Sequence, residues 1–255
     1  MKIGFIISMY DEIDIVKNTV SVLKQNNCPI IVIQSDPQQP EKLLESNQVD
    51  VYEKLSDLAG SKEEYLEERN DHTSKAATTP VKAITRNFKS GFSNIKNFDL
   101  DWWVVILGDV SISNTEGIQK IIKQIIRQKK FIGVTRAVGQ VFKDNNDKLK
   151  RIQKDDTTDF MPQFLIVHSS LIKKGLFSKL YITNPYTSEQ CLGDEVNRYC
   201  LENNTDFKNI VYIISDYAYP QFISGLKYNS DRVNMPRYVD GFVNKIRRIK
   251  TNFSK

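Results

Sequence analysis

Carboxylates placed just after apolar runs are the residues of this sequence best suited to chemistry. Trp102-Trp103-Val104-Val105-Ile106-Leu107 has the length and the β-branched and aromatic content of a strand buried on both faces. It stops at Gly108-Asp109-Val110-Ser111. Ligands of open α/β sheets bind beyond the carboxyl ends of the strands, so Asp109 is placed to meet a metal, a phosphate-bearing ligand or a reacting sugar. Two earlier apolar runs end in the same style, one in Ser8-Met9-Tyr10-Asp11-Glu12 and one in Gln34-Ser35-Asp36. Further on, Gly193-Asp194-Glu195 opens an expected helix. A carboxylate at a helix start is kept ionised by the macrodipole and is suited to general-base work.

Cations complement these acids. Lys82, Arg86 and Lys89 fall at i, i+4 and i+7 of an expected helix, which gathers them on one face. Such a row is either a solvated face or a surface turned toward phosphate. His168 ends a predicted strand and is a candidate to bind substrate or metal, against the plainer reading of a structural histidine. Trp102 and Trp103 read as core, and among Tyr181, Tyr186, Tyr217 and Tyr219 one or two rings could line a groove, as sugar sites favour such rings.

The elements that must position these groups follow from periodicity. Lys2 to Ser8 reads as strand one, then a helix carries Ile13, Val16, Val20 and Leu23 at helical spacing. Pro29 to Gln34 is strand two, and Val49 to Tyr52 a short third strand. This strand–helix–strand opening argues for a parallel sheet. Residues 60 to 79 are polar and without apolar period, as in a long loop or irregular insertion. Thr79-Pro80 then looks like an N-cap followed by proline at the first helical position, with Val81, Ile84, Phe88, Phe92 and Ile95 as the apolar stripe. Ser113-Asn114-Thr115-Glu116 fits a capping box ahead of a helix bearing Ile118, Ile121, Ile122, Ile125 and Ile126. Phe131 to Val134 is a short strand, 143 to 159 a polar mobile loop, Gln163 to His168 a strand, Leu192 to Leu201 a helix and Ile210 to Ile214 a last strand.

Composition narrows the class. With 255 residues, 40% hydrophobic and 26% charged, the chain can bury a sizeable core as one α/β domain. Three scattered cysteines argue against a disulfide framework or a zinc site and fit a reducing cytoplasm. The first apolar run is short and meets Asp11-Glu12 at once, so it reads as a strand and not a signal peptide. No stretch approaches the roughly 20 apolar residues of a membrane span. A net charge of +5 falls short of the dense basic stripe of a nucleic-acid binder. Much of the excess lies in Lys245-Ile246-Arg247-Arg248-Ile249-Lys250, a tail that is either a solvated terminus or a peripheral contact with an anionic membrane.

Taken in chain order, Tyr10-Asp11-Glu12, Asp36, Thr85-Arg86-Asn87 with Gly91, Asp109-Val110-Ser111 and Asp194-Glu195 resemble the motifs of the nucleotide-diphospho-sugar transferases of the GT-A fold, family-2-like and inverting. The resemblance reaches to about residue 215. It implies a Rossmann-like, mostly parallel sheet flanked by helices, with residues 1–115 as the nucleotide-sugar half, 116–240 as the acceptor half and 241–255 as a basic tail. It also implies a nucleotide-sugar donor, UDP-linked by default, and a glycan or lipid-linked acceptor. Ser8, Tyr10, Glu12, Asp36, Lys82, Arg86, Asp109 and Arg136 would surround the donor. Asp194 or Glu195 would be the base. Mg²⁺ or Mn²⁺ would sit on Asp109 with Ser111 and His168. The second acid of the family's Asp-x-Asp is Ser111 here, which leaves open either one carboxylate on the metal or a leaving group held by Lys82, Arg86 and Arg136. A sugar nucleotidyltransferase is the rival enzyme reading, but the position after strand one lacks its glycine-rich phosphate loop. A dehydrogenase or methyltransferase is disfavoured by the same lack of glycines. A catalytically inactive glycan-binding module is the rival outside the enzymes.

Overall fold

The structure is a computed structural model describing residues 1–9, 12–35, 48–55, 79–136, 141–143, 149–151, 160–180, 188–215 and 223–229. The chain runs β1 (Ile3–Met9), α1 (Ile13–Gln25), β2 (Ile30–Gln34), β3 (Val51–Lys54), α2 (Thr79–Asn94), β4 (Trp102–Leu107), β5 (Val110–Ile112), α3 (Glu116–Arg127), β6 (Ile132–Arg136), β7 (Val141–Lys143), β8 (Leu149–Arg151), β9 (Phe160–His168), α4 (Ser169–Lys173), α5 (Ser188–Glu202), α6 (Phe207–Ile210), β10 (Val211–Ser215) and β11 (Leu226–Tyr228).

Seven strands form the central sheet in the order β10-β6-β9-β4-β1-β2-β3. Parallel pairs join β1 to β2 and β4, β2 to β3, and β6 to β10. Only β9 runs against its neighbours, β4 and β6. The expected α/β class with a mostly parallel sheet is what the chain adopts.

Strand periodicity divides the core in two. Phe5, Ile7, Val104 and Ile106 point to one face, where Val16, Val20 and Leu23 of α1 and Ile118, Ile122 and Ile125 of α3 cover them. Ile6, Trp103 and Val105 point to the other, beneath Phe88 and Phe92 of α2 and Leu192 and Val196 of α5. Both faces are covered, so the strands carry continuous apolar runs. Close docking of α2 depends on Gly91: a β-carbon there would lie 2.5 Å from Cγ2 of Ile6.

Some local expectations shift. β3 starts two residues later than expected, at Val51. The stretch 143–159, expected as a loop, includes β8, which pairs with β7 in an antiparallel ladder; residues 144–148 and 152–159 lie outside the described residues, as do 56–78. The capping box does not form. Thr115 precedes α3 without a side-chain cap bond, and Oδ1 of Asn114 instead accepts from the Glu116 amide at 3.1 Å. Ser113 is committed elsewhere, its amide and hydroxyl both donating to the Gly225 carbonyl.

Candidate functional site

Because β1, β2, β4 and β6 are mutually parallel, Met9, Gln34, Leu107 and Arg136 end at one edge of the sheet. The ladder continues past them. The Gly108 amide donates to the Ser8 carbonyl at 2.8 Å, and the Ser35 amide to the Met9 carbonyl at 3.1 Å. Above β1 and β2 lies Asn87 of α2, 1% exposed. Its Nδ2 donates to Oγ of Ser8 and Oγ of Ser35, each at 2.9 Å, and lies 3.3 Å from the Ile33 carbonyl. One amide thus fixes the ends of two strands against a helix, at the place where the chain leaves the sheet toward Tyr10 and Asp36. Those two residues lie outside the described residues.

At the end of β4, Asp109 is buried, 5% exposed, and its Oδ1 has no hydrogen-bond partner among the described residues. Burial pushes its carboxyl up to about 7, the nearby Glu12 carboxylate adds to the rise, and hydrogen bonding from Tyr228 opposes it. Glu12 stands at the N-cap of α1 but makes no side-chain cap bond. Its side chain reaches across to the β4 turn instead: a β-carbon on Gly108 would lie 2.5 Å from Oε2 of Glu12. Gly108 is therefore what lets the two acids approach.

The turn is held from outside by β11, which pairs antiparallel with β5 and sets Tyr228 opposite Val110. The Asn229 amide donates to the Asp109 carbonyl at 2.9 Å, and Nδ2 of Asn229 donates to the same carbonyl at 3.0 Å and to Oγ of Ser111 at 3.2 Å. Ser111 itself donates to the Lys227 carbonyl at 3.3 Å. Ser111 is thus tied into the β5–β11 contact.

The remaining expected residues divide. Arg86 is exposed on α2. Lys82 enters as a backbone position in the first turn of α2, and Arg136 as the last residue of β6, on the same edge as Asp109. His168 does not join them. It pairs with Trp102 at the start of β4, so the length of that strand, about 20 Å at roughly 3.3 Å per residue, separates it from Asp109. There Nδ1 of His168 accepts from the Ser170 amide and caps α4, while the ring packs edge-on against Trp102 and Phe131. The expected shared metal site of His168 with Asp109 and Ser111 is excluded by this register, because β9 is antiparallel. Among the described residues, no three of His, Cys, Asp and Glu gather into a metal cluster.

Asp194 does not open its helix. α5 begins at Ser188, so Asp194 sits in the second turn, beyond the reach of the dipole effect on which its expected ionisation rested. It is exposed, with burial and the Glu195 charge both raising its carboxyl. Glu195 is 4% exposed and held by Arg198, whose Nε donates to Oε1 at 2.9 Å and whose terminal nitrogen donates to Oε2 at 2.8 Å. Arg198 also bonds Glu202 and the Gly175 carbonyl. Both acids of Glu195-Arg198-Glu202 are therefore engaged in holding α5 to the loop at Gly175.

Sequence reading did not assign Asn87, Tyr228 or Asn229 to the site. Asn87 was within reach, since it adjoins Arg86 in the quoted motif. Tyr228 and Asn229 are more than a hundred residues from Asp109 and carry no local signal.

The sequence matches no protein-family model and no curated protein. Among solved structures, it is similar to S. aureus TarS residues 1–349, with TM-score 0.46 and 14% identity over 86% of this chain and 59% of that one. The chain thus spans about three fifths of that structure. It is also similar to a 4-diphosphocytidyl-2C-methyl-D-erythritol synthase from Anaerococcus prevotii, with TM-score 0.42 and 12% identity over 87% of this chain and 92% of that one. Mouse xyloside xylosyltransferase 1 in its apo form gives TM-score 0.40 and 10% identity, over 84% and 85% of the two chains.

Proposed function

We propose that this chain transfers a sugar from a nucleotide-sugar donor to a glycan or lipid-linked acceptor, in the synthesis of a cell-surface polysaccharide or glycoconjugate. The observation that carries the reading is the convergence of the chemically marked strand ends on one edge: Ser8 and Ser35 fixed by Asn87, and Asp109 beside Glu12. The nucleotide lies over the ends of β1 and β2, near Tyr10 and Asp36. The diphosphate extends toward Asp109.

Departure of the nucleoside diphosphate requires positive charge at its oxygens. Lys82, Arg86 and Arg136 supply it as side chains, and Mg²⁺ or Mn²⁺ supplies it when bound at Asp109, whose buried unpartnered Oδ1 fits a hard cation. The acceptor hydroxyl needs a base to take its proton as the anomeric centre becomes oxocarbenium-like. Asp194 is that base in this reading. It is exposed to an acceptor and has a raised proton affinity, whereas Glu195 is committed to Arg198. Inversion at the anomeric carbon follows if the base and the leaving group lie on opposite sides of the ring. The setting is cytoplasmic, with the basic tail resting on the inner membrane face; no helix among the described residues is long and apolar enough to cross a membrane.

The test is release of nucleoside diphosphate from a panel of UDP-, GDP- and dTDP-sugars offered with glycan acceptors, with and without Mn²⁺. Acceptor-stimulated release from one donor is expected. Release of pyrophosphate from a nucleoside triphosphate and a sugar phosphate would instead identify a nucleotidyltransferase. Donor binding without turnover would identify a glycan-binding module.

A further inference from the structure

We infer that Glu12 is the second carboxylate of a divalent-cation site with Asp109, supplying from the start of α1 the acid that Ser111 does not supply from β5. The inference deepens the glycosyl-transfer reading by assigning how its leaving group is balanced.

Three observations carry it. The Glu12 side chain makes no cap bond at the start of α1 and lies against the Gly108-Asp109 turn. Residue 108 has no side chain to keep it away, and any β-carbon there would collide with the carboxylate. Oδ1 of Asp109, on a residue 5% exposed, is buried with no hydrogen-bond partner among the described residues. Two carboxylates from separate elements, one with a buried oxygen that makes no hydrogen bond among the described residues, offer a cation oxygen ligands on two sides.

The donor chemistry selects the cation. Carboxylate oxygens from two elements suit a hard ion such as Mg²⁺ or Mn²⁺, which completes its shell with water and substrate phosphate. The neighbours that could have served instead are otherwise placed. Ser111 is bonded to Lys227 and Asn229, and His168 is at the far edge of the sheet. The Asn229 bonds to the Asp109 carbonyl hold the turn so that its carboxylate stays beside Glu12.

The test uses Mn²⁺ as probe on the whole chain without nucleotide, at pH 8. Loss of the free-ion paramagnetic resonance signal should show one ion bound per chain. Glu12→Gln and Asp109→Asn should each weaken that binding at least about tenfold, no less than loss of a supporting contact costs, while His168→Ala and Ser111→Ala bind as the parent does. Melting temperature gives a second readout that does not depend on activity. Added Mn²⁺ should raise the melting temperature of the parent by more than that of Glu12→Gln, each compared with its own value in EDTA. Absence of Mn²⁺ binding to the parent, equal binding by Glu12→Gln, or an equal Mn²⁺-induced rise in melting temperature for parent and variant each overturns the inference. UDP-sugar binding measured in EDTA separates the two readings. Donor bound with no Mn²⁺ site leaves glycosyl transfer standing and removes the cation. Mn²⁺ bound at Glu12 and Asp109, with no donor taken by any arm, does the reverse.

Discussion

At the residue scale, two acids that look alike in sequence come out with opposite circumstances. Asp109 is buried against Glu12, and its carboxyl rises to about 7 from an ordinary value of 3.8. The folded state therefore holds a proton more tightly than the unfolded chain. Stability from this group is complete below about pH 4 and is lost as the pH rises through 7, by a few kcal/mol at most, since one pKa unit is worth about 1.4 kcal/mol. Denaturant unfolding in EDTA should show the parent weakening from pH 5 to pH 8, with Asp109→Asn giving a flatter profile; parallel profiles would remove burial of Asp109 as the cause. Asp194 and Glu195 are adjacent yet separable by the same logic. Glu195→Gln breaks a two-pronged bond to Arg198 and should cost about 1–3 kcal/mol, less than a fully buried pair because Arg198 keeps some contact with water. Asp194→Asn, on an exposed site, should leave stability within about 0.5 kcal/mol. If Asp194 is the base, that change lowers sugar transfer by on the order of a hundredfold. Loss of transfer with Glu195→Gln alone, at temperatures where it stays folded, would move the role to Glu195.

At the element scale, the site depends on a small two-stranded sheet that lies beside the main one. β11 reaches β5 through a tight turn at Gly225, whose φ is +88°, a conformation that residues with a β-carbon rarely adopt. A β-carbon at that position would also lie 2.5 Å from the Asn114 carbonyl oxygen. Gly225→Ala is therefore expected to lower stability by about 1–3 kcal/mol and to loosen the Asn229 bonds on Asp109. Kinetics at a temperature where the variant is folded should then show turnover reduced beyond what the folded fraction explains. Unchanged turnover would mean that the β5–β11 clamp is structural only. The α2 helix acts on the other side of the edge, because Gly91 lets it sit close on Ile6 and so brings Asn87 down onto Ser8 and Ser35.

At the scale of the whole molecule, the parallel strands of the central sheet stack their carboxyl ends on one side, and within that sheet β9 turns back. That reversal sends His168 to the edge opposite Asp109. Residues 241–255 lie outside the described residues, and their role at a membrane is open to direct test. The whole chain should sediment with vesicles containing phosphatidylserine at low salt and be released as salt is raised. A chain ending at residue 240 should stay in solution, because each basic residue near such a surface contributes about 1 kcal/mol. Equal behaviour of the two chains would assign the tail no part in membrane contact.

Much of this was readable from order and period alone. The apolar runs of β1, β2 and β4 are continuous because both faces of a parallel sheet are covered, and the stripes of α1, α2 and α3 repeat every three to four residues because each covers one face. Those local rules placed Asp109 at a strand end and Asn87 within a helix, without showing which strands that helix covers. They also misplaced the start of α5 by four residues, since helix ends depend on caps and packing that a stripe does not encode. The pairing of Glu12 with Asp109, the hold of Arg198 on Glu195 and the clasp of Asn229 on Asp109 were decided only by the tertiary structure. The first and last join residues some hundred positions apart through strand order, and the middle one depends on which face of α5 turns inward. Sequence spacing fixes neither strand order nor helix rotation; burial of the two cores does.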